Sequence, residues 1–117
     1  MAWRIVLQPN GKLARFSDVV DGFTHIEMTK DEAIELCRED MGKIAAEVKV
    51  QAGLDDIRPF STRNGNDSRW MDCIETIIAV HGKESLVNAF KAASTEELIP
   101  ENIDEIVGKL ADKPQST

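Results

Sequence analysis

The sequence is short of most features that mark a chemical function. It has two cysteines and two histidines in 117 residues. Cys37 and Cys73 fall in separate predicted helices without Cys-x-x-Cys spacing, which argues against a disulfide framework and for reduced thiols. None of the close ligand pairs of a zinc site is present, so a Cys2His2 site would need His25, Cys37, Cys73 and His81 brought together from distant segments. No apolar run approaches the ~18 residues of a membrane span, and the start "MAWRIVLQPNG" lacks the apolar core of a signal peptide. A cytoplasmic chain without membrane attachment is expected. Repeats and low-complexity tracts are absent, and "STRNGNDSR" has neither the spacing nor the Lys-Ser/Thr pair of a phosphate loop.

Positive charge is scarce too. Fourteen Lys and Arg face 21 Asp and Glu, a net charge of −7, which disfavours nonspecific attachment to nucleic-acid phosphates or anionic lipid. The imbalance is uneven: residues 1–16 carry Arg4, Lys12 and Arg15 with no acid, while residues 67–117 hold ten acids against five bases. An acidic surplus of this kind serves as a solubilising surface, or as a face that meets a basic partner or imitates nucleic acid. The candidate partner-binding residues are Glu96, Glu97, Glu101, Asp104 and Glu105.

What is present is enough for a core. Hydrophobic residues make up 42 % of the chain, and its length allows folding without disulfides or metals. "WRIVL" and "LARF" flank "QPNGK". Pro9 lacks the amide hydrogen a two-residue Asn-Gly loop would need, so a three-residue loop is expected, with Pro9 and Asn10 in a type I turn and Gly11 left-handed. That register pairs Gln8 with Lys12 and Leu7 with Leu13, and puts Trp3, Ile5, Leu7 and Leu13 on one face that needs a cover. "FTHIEM" reads as a short third strand.

"MTKDEAIELC" then starts a helix: Thr29 caps it, Glu32 reaches back, and Met28 packs on Ala33 as a staple. Ala33, Ile34, Cys37, Met41, Ile44 and Val48 continue at helical spacing, with Gly42 ending or bending the helix. Residues 43–52 also alternate in strand fashion, and helix is the favoured reading. Three further helices are expected. One covers 69–81 with Trp70, Ile74, Ile77 and His81 on its apolar stripe; one follows Gly82 with Leu86, Val87, Phe90 and Ala93; one follows Pro100 with Ile103, Ile106, Val107 and Leu110. The fold class is α+β: an N-terminal antiparallel hairpin or three-stranded meander with a packed helix, then a helical part. The expected organisation is a ββ(β)α subdomain over 1–53, a loop joint over 54–68, a helical subdomain over 69–112 and a frayed tail over 113–117, all in one compact unit.

"IVLQPNGKLARFSDVVDGFTHIEMTKDEA" resembles the N-terminal domain of HicB-like antitoxins over about residues 4–33. The matching positions are Pro9, Gly11, Phe16, Asp18, Gly22, Thr24, Thr29, Glu32 and Ala33. The family's proline after Phe and the Gly-Asp before the capping Thr are absent, and one residue is inserted before Gly22. The resemblance implies a three-stranded sheet carrying a helix, and a protein that binds another protein without catalysis. The overall style is similar to that of small phage- and prophage-encoded proteins.

The remaining candidates are weighed residue by residue. Cys73 and His81 lie two turns apart, about 12 Å along one helix, beyond the reach of a shared metal or a nucleophile–base pair. They read as a core thiol and a histidine at a helix end. "CIETIIAVHGKESLVNAFKAA" has the helix, glycine turn and helix of a DNA-binding helix-turn-helix, but its second helix offers only Lys83 and Lys91, with Asn88 as a base-reading amide. Asp31, Glu35 and Glu39 line one face near a helix N-terminus, where the dipole favours carboxylates without any ligand. No residue is assigned a catalytic, cofactor-binding or metal-binding role, and no cofactor is expected. The leading expectation is a non-enzymatic acidic interaction or regulatory protein that binds another protein, with self-association open and nucleic acid disfavoured. The alternatives are a small cysteine/histidine enzyme or metal-binding protein, and a helix-turn-helix regulator.

Overall fold

The computed structural model describes residues 3–56 and 69–111. The expected loop joint, from residue 57 on, and the 113–117 tail lie outside them. The chain is α+β. Strands β1 (Trp3–Leu7), β2 (Leu13–Ser17) and β3 (Gly22–Met28) form one antiparallel sheet in the order β1-β2-β3. Helices α1 (Lys30–Met41), α2 (Lys43–Leu54), α3 (Arg69–His81), α4 (Lys83–Ala92) and α5 (Ile103–Ala111) follow, with a 3-10 turn at Glu96–Leu98. Two compact units divide the chain inside α3, Met1–Cys73 and Ile74–Thr117.

Local chemistry accounts for the first turn and the first cap. Gly11 sits at φ +86°, its N–H reaches Gln8 O at 3.0 Å, the Gln8 N–H reaches Lys12 O at 2.8 Å, and Leu7 pairs with Leu13. This is the bulged three-residue loop that Pro9 demands. At α1, the Glu32 N–H donates to Thr29 Oγ1 at 3.2 Å and the Thr29 N–H donates to the Glu32 carboxylate at 3.1 Å. Met28 and Ala33, on either side of this capping box, are both buried in the core.

One sheet face and two helices make the first core. Ile5 and Leu13 pack with Met28, Ala33, Cys37, Ala46 and Val50, with Trp3 and Leu7 at the margin. The approach of α2 to β1 is close enough to require glycine: a Cβ on Gly53 would lie 2.8 Å from Ile5 Cγ2 and 3.0 Å from Ile5 O. The opposite face is covered as well, which the expectation of a single buried face did not include. Val6, Ala14 and Phe16 are buried there, and Phe23 stacks on Trp70 at 4.8 Å while meeting Phe16 edge-on at 5.6 Å. The first turn of α3 therefore belongs to the sheet, its start held by a bond from the Arg69 N–H to Asp56 Oδ1 at 3.1 Å.

Residues 43–54 are helical, and Gly42 is a corner rather than a bend, with φ +82° and ψ 165°. The corner resets the helical phase. Ile44 and Val48, expected to extend the apolar stripe of α1, are instead 79 % and 65 % exposed, and Ala46, Val50 and Gly53 take the buried side.

In the second unit, Ile74, Ile77 and Ile78 of α3, Leu86 and Phe90 of α4, and Ile103 and Ile106 of α5 are buried. Val80 and His81 lie outside that set, both exposed, and Ala93 is an exposed C-cap. α5 begins at Ile103, so Pro100 sits in the turn before the helix, where its carbonyl accepts the Ile103 N–H at 3.2 Å. The buried Thr95 links α4 to the 3-10 turn, donating from Oγ1 to Phe90 O at 3.0 Å.

Candidate functional site

The thiols and imidazoles are not placed for chemistry. Cys37 and Cys73 are fully buried, while His25 and His81 are exposed. Burial pushes both thiols up, Cys73 to about 12, far from the thiolate needed for nucleophilic attack at neutral pH. Among the described residues no group of three or more His, Cys, Asp or Glu could hold a metal ion.

The helix-turn-helix reading meets two geometric obstacles. α3 and α4 are joined by Gly82 alone, at φ +92°, where a DNA-reading pair uses a turn of about three to four residues. Lys83, one of its two cations, is ion-paired with Asp104. Lys91 and Asn88 are exposed on α4.

Glu96, Glu97, Glu101, Asp104 and Glu105 are all exposed, as the amphipathic pattern of α5 requires. Asp104 is bound to Lys83; the other four carry no ion pair among the described residues. Asp104 and Glu105 lie in the first turn of α5, where carboxylates complement the backbone N–H groups. On α1, Asp31, Glu35 and Glu39 are likewise exposed, and Glu35 pairs with Arg38 at 3.6 Å. The "STRNGNDS" stretch lies outside the described residues.

Two features escaped the sequence reading. The first is a polar cluster closing the hairpin onto β3. Gln8, only 2 % exposed, donates to Glu27 Oε1 at 2.8 Å, Asn10 donates to the same oxygen at 2.7 Å, and Lys12 pairs with Oε2 at 3.0 Å. Glu27 is left-handed at φ +61°, and the β2–β3 register slips between Leu13 and Arg15, so β3 bulges there. Burial works to raise the Glu27 pKa, but the hydrogen bonds from Lys12, Asn10 and Gln8 and the Lys12 charge outweigh it and hold the carboxyl below its ordinary value.

The second is an open groove of about 500 Å³ on the outer side of α1 and α2, floored by Ile34, Ile44 and Val48. Its rim is polar: Asp31 and Glu47 are unpaired among the described residues, and Lys30 donates to Gln51 Oε1 at 3.4 Å. The available signal was composition, since "KIAAEVKV" is apolar on more than one side and a helix of that kind has more apolar surface than one neighbour covers.

No family model, curated protein or solved structure matches the chain. Among the described residues no helix is long and apolar enough to cross a membrane.

Proposed function

We propose that the protein is a non-catalytic interaction protein, antitoxin-like or accessory in character, whose acidic helical surface engages a basic surface of another protein. The observation that carries this reading is the set of four exposed carboxylates, Glu96, Glu97, Glu101 and Glu105, left without ion pairs among the described residues while Lys83 is occupied by Asp104. Uncompensated exposed charge of one sign steers encounter with the opposite sign and repels phosphates. The resemblance of residues 4–33 to HicB-like antitoxins supports the same class of function.

The test uses a variant with Glu96, Glu97, Glu101, Asp104 and Glu105 changed to Gln or Asn. Binding to partner captured from the host cytoplasm and to duplex DNA is measured across a salt series. Partner association slows in the variant, and wild-type association falls steeply with salt because exposed charges are screened over about 8–10 Å. Unchanged partner affinity with tighter DNA binding would overturn the reading.

A further inference from the structure

We propose that the groove between α1 and α2 is a docking site for an amphipathic helix whose aliphatic anchors are flanked by Lys or Arg. Ile44 and Val48 stand one turn apart on α2, 79 % and 65 % exposed, and with Ile34 they form the apolar floor. α2 has already spent its other side on β1, through Ala46, Val50 and the close approach at Gly53. The floor is therefore surplus to the core, and contiguous exposed apolar surface of this kind marks interaction sites.

The form of the occupant follows from the walls. Both are helices whose backbone groups are internally bonded, so the groove offers no free strand edge and an extended peptide would find no main-chain partners there. A helix satisfies its own backbone and brings side chains at i, i+3 and i+4 onto the Ile44–Val48 ridge. The charge of the occupant follows from the rim. Asp31 and Glu47 are unpaired acids among the described residues, whereas the rim cation Lys30 is engaged by Gln51. Basic flanks on the incoming helix match these carboxylates. A second copy of the chain does not, because facing grooves would set Asp31 and Glu47 against their own kind. This site is in the N-terminal unit and does not rest on the acidic surface of residues 96–105.

The probe is a synthetic Leu/Lys amphipathic helix, with a Leu/Glu helix of the same pattern as control, titrated into the full chain and followed by amide shifts and calorimetry. The Leu/Lys peptide shifts amides over Asp31, Ile34, Ile44 and Val48, and the Leu/Glu peptide does not bind. Ile44→Ser with Val48→Ser weakens binding by about tenfold or more without lowering thermal stability, because both side chains are exposed in the free protein. Asp31→Asn with Glu47→Gln weakens it and flattens its salt dependence. Shifts confined to residues 96–105, or equal binding by both peptides, would overturn the proposal, the first result leaving the acidic-surface reading intact. A dimer of the free protein that the Ile44→Ser, Val48→Ser variant dissolves would also overturn it, by assigning the groove to a second copy.

Discussion

Gln8 and Glu27 hold each other in both directions: the Gln8 carboxamide donates to Glu27 Oε1 at 2.8 Å and accepts the Glu27 backbone N–H at 2.7 Å. The hairpin loop is thereby fastened to the bulge in β3, with Asn10 and Lys12 closing the remaining carboxylate positions. Gln8→Leu keeps the volume but strands a bulge N–H and removes a donor from Glu27. We expect a loss of about 1–3 kcal/mol in urea unfolding. A loss no larger than that of Asn10→Ala would show that the pair does not organise the bulge.

The same cluster makes stability depend on acid. The folded pKa of Glu27 lies below its ordinary value, so its contribution is present above the unfolded pKa and disappears as pH falls through the folded one. Between neutral pH and the acid range, wild type should lose more stability than Glu27→Gln. Parallel pH profiles for the two proteins would contradict this.

The glycines separate into three classes, each with its own sign. Gly11 is left-handed with open space around it, so Gly11→Ala costs on the order of 1 kcal/mol through backbone strain alone. Gly108 is helical, exposed and equally unobstructed, so Gly108→Ala stabilises by about 0.5–1 kcal/mol. Gly53 is helical too, but its added methyl meets Ile5 Cγ2 at 2.8 Å and the strand carbonyl at 3.0 Å. The overpacking penalty of about 1–3 kcal/mol there exceeds the helix-propensity gain of about 1 kcal/mol, and Gly53→Ala destabilises. Thermal melts of the three variants give this order or refute it.

Thiol labelling at neutral pH should be slow at both cysteines in the folded protein and rapid in denaturant, since each is fully buried with its pKa raised. Fast labelling of Cys73 under native conditions would mean that α3 opens readily.

Sequence alone determined the features closed within a few residues. Pro9 and Gly11 dictated a bulged loop, Thr29 and Glu32 a capping box, and Gly42 and Gly82 the ends of their helices, because each rests on bonds between near neighbours or on a backbone angle only glycine adopts easily. The alternation of β1 and β2 located Ile5 and Leu13, and the spacing in α5 placed its acids outside. Tertiary structure decided what depends on partners far along the chain. A corner of one residue turned Ile44 and Val48 outward, although their spacing continues the stripe of α1. The second sheet face acquired a cover because Trp70 returns to Phe23 across forty-odd residues, and Gly53 is required only because β1 passes beneath it. The bulge at Glu27 likewise answers to Gln8, nineteen residues earlier. Periodicity specifies which residues share a face of one helix or strand; which neighbour covers that face, and whether any does, is set by packing between elements.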